Sequence, residues 1–156
     1  MSVNYSKPIS EAIEAFFVED NWKYDPINER GIFRTNMTLH SRVQHINIYV
    51  NVRDDTFSIE SILPFNADED SRPAIAEYLT RANYGLLHGN FEMDFEDGEI
   101  RYKTVHYCPD ENPTMEEVRK MMYTNIAMVK RYGDNMVKVM FGMMTPKEAV
   151  EDAEGD

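Results

Sequence analysis

Cysteine occurs once in 156 residues, at Cys108. A lone thiol rules out an internal disulfide and any zinc site built on cysteines, and it suits a reducing compartment. Long apolar runs are missing too, and nothing approaches the ~20 residues that a membrane-spanning helix needs. The N-terminus lacks a basic and then apolar signal segment, so no export is expected and the cytoplasm is the expected location. Positive charge is scarce. Sixteen Lys and Arg stand against 28 Asp and Glu, a formal charge of −12. That charge opposes phosphate backbones and anionic lipid, so neither nucleic acid nor a membrane is an expected partner. A basic or amphipathic protein partner remains open.

Catalytic signatures are equally thin. There is no Gly-rich phosphate loop and no G-x-S-x-G elbow, and the four histidines are scattered without HExxH spacing. His106 and Cys108 stand two apart and share a side if a strand runs through them. The pair fits a two-ligand metal fragment or a His-activated thiol. The plainer reading, sheet-end residues without a catalytic role, is preferred because no third ligand or orienting group is evident. Asn83 is better explained by bonding backbone near Gly89 than by touching a ligand. No catalytic residue, cofactor or metal is expected.

What is present is a globular composition: 42% hydrophobic residues, eight Phe, nine Tyr and eleven Met. The length fits one domain, taken as residues 1–150, followed by an acidic tail at 151–156. Lys7 to Asp20 places Ile9, Ile13, Phe16 and Phe17 at helical spacing, with Pro8 in the first turn. Asn21 to Asn28 is a short extended stretch that Pro26 keeps out of a central strand. Ile32 to Leu63 reads as three antiparallel strands. A turn at Asp54-Asp55 pairs Val52 with Phe57, Val50 with Ile59, Ile46 with Leu63, Asn51 with Ser58 and Tyr49 with Glu60. Asp70 or Ser71 caps the next helix, whose stripe is Ile75, Tyr78, Leu79, Ala82 and Leu86, and Gly89 stops it.

A hairpin follows. Asp97-Gly98 suits a two-residue turn. That turn sets Phe95 opposite Ile100, Asp94 opposite Arg101, Met93 opposite Tyr102 and Glu92 opposite Lys103. Phe91, Met93, Phe95, Ile100 and Tyr102 then share one face, and unlike charges pair across the other. The carboxylates here do not form a calcium loop: with Gly98 sixth, Met93 and Phe95 fall at ligand positions. Thr114 to Glu117 reads as a capping box opening a third helix with Val118, Met122, Ile126 and Val129 on its stripe. Gly133 is expected to break or bend that helix, and a weak final helix starts near Thr145.

This α-β-β-β-α-β-β-α order, an α+β domain with an antiparallel sheet of about five strands, comes with particular residues. They are Asn83, Leu86, Gly89, Phe91, Met93, Glu96, Asp97, Gly98 and the strand Ile100 to Tyr102, and then Val139, Gly142, Pro146 and Ala149. In these the chain resembles the YbjN family, which groups with type III secretion chaperone-like folds. The resemblance implies a regulator label without chemistry, and small acidic proteins, commonly homodimers, that hold an extended segment of a client. It carries no catalytic residues.

Eight methionines crowd the last third, and methionine is over-used at promiscuous binding surfaces. Met121, Met128 and Met144 fall partly off the stripe of the third helix. With Tyr49 they form the expected partner-binding or dimer surface. The expected function is a non-enzymatic binding module holding a peptide of a protein partner. The alternatives are a small-molecule sensor with a pocket between the third helix and the sheet, and an enzyme using Cys108 and His106.

Overall fold

A computed structural model of the chain describes residues 4–109 and 112–155. In chain order the elements are α1 (Lys7–Glu19), β1 (Tyr24–Asp25), β2 (Ile32–Thr38), β3 (His45–Val52), β4 (Thr56–Asn66), α2 (Arg72–Asn83), β5 (Asn90–Met93), β6 (Glu99–Tyr107), α3 (Met115–Met140) and α4 (Pro146–Glu154). The expected order is present, with the short extended stretch paired into the sheet as β1 and the expected final helix formed as α4. The strands form one antiparallel sheet in the order β1-β2-β3-β4-β6-β5, six rather than five.

Local chemistry sets the first half. The Ser6 hydroxyl accepts the Ile9 N–H at 3.2 Å and opens α1, whose Ile9, Ile13, Phe16 and Phe17 are buried. Pro26 ends β1 after two residues, leaving a short, blunt edge. β3 and β4 pair as read from the sequence: Val52 with Phe57, Asn51 with Ser58, Val50 with Ile59 and Tyr49 with Glu60. The ladder closes at Asn47 and Ile62, one step short of the expected Ile46–Leu63 pair. Ile46, Ile48, Val50, Val52, Phe57 and Ile59 all turn inward, each contributing roughly 1.5–3 kcal/mol by leaving water.

The β5–β6 hairpin differs from expectation by two residues. Met93 faces Ile100, Glu92 faces Arg101 and Phe91 faces Tyr102. The cause is a longer turn starting at Asp94. The Gly98 N–H donates to the Asp94 carbonyl at 2.7 Å, and the side chains of Asp94 and Asp97 accept from Glu96 and Glu99 N–H at 2.8 and 2.9 Å. A slip of two keeps every strand side chain on its face, because the period is two. Phe95 is the exception: it falls in the turn and is 60% exposed. Asp94 and Arg101 do not pair. Arg101 instead meets Glu60 at 3.0 Å and Glu99, while Lys103 and Glu92 still meet at 3.1 Å. Gly98 (φ +79°) is packed so tightly on Ala67 that a Cβ would strike the Ala67 carbonyl.

The helices also correct the sequence reading. α2 ends at Asn83, before Gly85 (φ +87°), so Leu86 lies in the following loop and Gly89 serves the entry to β5. Ser71 stands at the cap of α2, but its hydroxyl donates back to the Asp68 carbonyl at 3.2 Å instead of capping the helix. The Asp68 carboxylate takes the Ser71 N–H at 2.9 Å, and its hydrogen bonds to Ser71 hold it below the usual carboxylate range. α3 runs unbroken through Gly133, which is buried against Val43 with no room for a Cβ. Thr114 caps α3 by accepting the Glu117 N–H at 3.1 Å, but Glu117 does not complete the box. The complete box is Thr145 with Glu148, at α4. Residues 151–154, read as tail, continue α4. They are tied to α3 by the Tyr132 hydroxyl donating to Glu154 at 2.7 Å and the Asn135 amide donating to Asp152 at 3.0 Å.

Candidate partner-binding groove

Six of the helical core positions of α3 (Val118, Met122, Ile126, Val129, Met136 and Val139) are buried against the rest of the fold. Met121, Thr124 and Met128 lie one step round the helix at three- and four-residue spacing, so they form a neighbouring stripe. Met121 and Met128 are half-buried there, at the margin of the core. Opposite them runs the end of β6, and the loop after α2 closes the third side. Between these walls is a hollow of about 740 Å³, lined by Leu87, His88, Gly89, Thr104, Val105, His106, Lys120, Met121, Tyr123, Thr124, Ala127 and Met128.

Buried polar bonds hold each wall. Asn125 is fully buried and donates to the Thr104 hydroxyl at 2.7 Å and the Met121 carbonyl at 3.3 Å, while accepting from the Ser61 hydroxyl at 2.9 Å. That network fixes the rotation of α3 on the sheet and hence which methionines reach the groove. The Tyr102 hydroxyl donates to the His88 carbonyl and pins the loop. Burial pushes the Tyr102 hydroxyl up to about 12, so it remains a donor at neutral pH. With the loop so held, Leu87 is left 89% exposed at the rim.

Among the described residues His106 and Cys108 do not form a reactive pair. His106 Nε2 meets the Glu117 carboxylate at 3.0 Å rather than serving Cys108. Burial first, then Asp55 and Glu117, raise the Cys108 thiol above its ordinary value, the opposite of what a nucleophile requires. Among the described residues no three His, Cys, Asp or Glu side chains are grouped to hold a metal ion.

Of the four residues singled out in the sequence, the fold brings together Met121 and Met128. Met144 lies past the far end of α3, half-buried beside the exposed Met143 and Phe141. Tyr49 is on the opposite, solvent-facing side of the sheet. There the Arg34 guanidinium lies 5.3 Å from its ring centre, and Lys23, Asp25, Asn36 and Asn47 complete a polar hollow of about 440 Å³. Sequence reasoning missed Leu87 and Val105. The signal for Val105 was an apolar residue on the polar side of β6, 59% exposed in the structure. Leu87 falls between Leu86 and Gly89, in the stretch read as the end of the second helix, and gives none.

An antiparallel sheet with helices packed on it and an apolar groove at one end makes this a small α+β domain. The chain belongs to the YbjN family: the family model, described as "Putative bacterial sensory transduction regulator", matches residues 10–137. Among solved structures it is similar to one titled "Crystal structure of YbjN, a putative transcription regulator from E. coli". The TM-score is 0.58 at 7% identity, over 85% of this chain and 89% of that one, a likeness of fold alone. No curated protein sequence matches the chain. Membership supports a regulatory or adaptor role in general, and the family description names a regulator rather than an enzyme. None of the described helices is long and apolar enough to cross a membrane.

Proposed function

We propose that this protein is a non-enzymatic adaptor that works in the cytoplasm by holding a peptide segment of a partner protein between α3 and the end of β6. The observation that carries this reading is the groove itself: Met121 and Met128 along one wall and the edge of β6 at Val105 along the other, with Leu87 exposed at its rim. Flexible thioether side chains repack around different apolar groups, which suits a surface that accepts side chains of a partner. The charge of −12 favours a basic or amphipathic partner. Homodimerisation through the exposed Phe141 and Met143, next to Met144, accompanies this reading.

The test combines sedimentation with capture of partners from lysate. Wild type is expected to sediment as a dimer and retain protein partners. Met121→Glu with Met128→Glu is expected to lose the partners and keep the dimer, while Phe141→Glu with Met143→Glu does the reverse. A strict monomer that retains nothing overturns the proposal. The volume of the groove also lies in the range of small-molecule sites, which supports the sensor alternative. A thermal-shift screen separates the two: a metabolite that raises Tm in wild type but not in the double-Glu groove variant favours the sensor.

A further inference from the structure

Resting on that reading, we infer that the groove takes its partner as an added β-strand, an extended basic and apolar segment of another protein paired with the open edge of β6 at Val105 and Tyr107.

The phase of the hydrogen bonds shows which backbone groups face outward. The Cys108 N–H donates to the Asp55 carbonyl at 2.8 Å, so Cys108, His106 and Thr104 turn their backbone toward β4. The Asp94 N–H donates to the Glu99 carbonyl at 2.9 Å, so Glu99, Arg101 and Lys103 turn theirs toward β5. By the same alternation Val105 and Tyr107 face the β5 side. β5, however, begins at Asn90, opposite Lys103. Among the described residues no strand lies beside Val105 and Tyr107, whose side chains are 59% and 66% exposed.

The contrast with the neighbouring edge is instructive. Exposed strand edges are normally blunted or covered. On β5 the Asn83 side chain does this, donating to the Phe91 carbonyl at 3.0 Å and accepting its N–H at 2.7 Å. Among the described residues the β6 edge has no such cover, and it lies along the wall of an apolar groove. Unpaired donors and acceptors on one strand select extended backbone, and alternate side chains of the added strand then enter the Met121–Met128 hollow.

Charge selects the partner further. Asp55 and Glu117 stand close enough to Cys108 to raise its thiol, so the Tyr107 end of the edge lies in negative potential. Lys120 supplies positive charge within the groove, which places the basic residues of the partner at the Tyr107 end. A charge of −12 on each copy works against a second copy of this chain as the occupant.

The test is a displayed library of random octapeptides selected against the full chain. Enriched peptides should alternate apolar and other residues and carry Lys or Arg toward one end. On binding, hydrogen exchange at the Val105 and Tyr107 amides should slow at least tenfold. Val105→Pro removes an outward N–H and no ladder bond. It is expected to weaken binding at least tenfold while Val105→Thr does not. If Val105→Pro fails to fold, N-methylation of alternate peptide residues gives the same reading on wild type. Peptides whose affinity depends on Met121 and Met128 but survives Val105→Pro or N-methylation overturn strand addition and leave the groove reading intact. No enrichment overturns both. A dimer with the Val105 and Tyr107 amides protected before any peptide is added assigns the edge to a second copy and overturns the inference.

Discussion

Asn83 serves as the last rung of the sheet, bonding both the N–H and the carbonyl of Phe91 through one side-chain amide. Replacing it by Ala leaves the part-buried Phe91 N–H without a protein partner and its carbonyl with only the Asn90 amide at 3.3 Å, at a cost of about 1–3 kcal/mol. Asn83→Asp keeps an acceptor for the Phe91 N–H but sets a carboxylate against the carbonyl, and should recover only part of the loss. Urea denaturation checks both. An Asn83→Ala midpoint equal to wild type would show that water replaces the amide.

The Ser61–Asn125–Thr104 network makes an asymmetric prediction. Asn125→Ala strands two buried hydroxyls and opens a cavity, with an expected loss of about 2–4 kcal/mol. The triple change Ser61→Ala, Asn125→Leu, Thr104→Val removes all three polar partners together and should sit closer to wild type than the single change. The comparison is made by thermal and chemical unfolding.

Gly133 offers a test in which propensity and packing disagree. In an exposed helix, Gly→Ala gains about 1 kcal/mol. Here the new methyl meets Val43, so Gly133→Ala should lower stability, and Val43→Ala in the same chain should recover part of it. A double-mutant cycle reads the coupling.

Alkaline pH should destabilise the fold over a defined window. Burial raises Tyr102 and Tyr132 from 10.0 to about 12, aided at Tyr132 by its bond to Glu154. The folded chain therefore holds protons that the unfolded chain releases first. Their contribution is complete below pH 10 and is lost as pH rises through 12, on the order of 2 kcal/mol for each tyrosine. Unfolding midpoints from pH 8 to 12 check the sign. Tyr132→Phe should flatten part of the slope.

How much the sequence revealed depended on the range of the interaction. The β3–β4 register was legible because alternation and a short turn determine it locally. The β5–β6 faces were legible and the register was not, since a shift of two leaves the pattern of inward residues unchanged and only the bonds of Asp94 and Asp97 choose the loop length. Gly133 resembled a helix breaker because its reason, the approach of Val43, lies ninety residues away in the chain. Glu117 suited a capping box, and His106 on β6 claimed it instead. Met121 and Met128 could be picked out as methionines beside the core stripe. Their opposing wall could not, because it is assembled from a loop and a strand end that share no local pattern with α3.

α3 is 26 residues and about 39 Å long, and it contributes the buried face shared by the sheet and the other helices. It also follows every described strand of the sheet in the chain. The strands, residues 24–107, therefore leave the ribosome before α3 can cover the inner surface of the sheet, and that surface stays sticky until Met140 has emerged. Truncation within α3 would yield an aggregating fragment rather than a smaller domain, and a slow codon stretch before residue 115 would prolong the hazard.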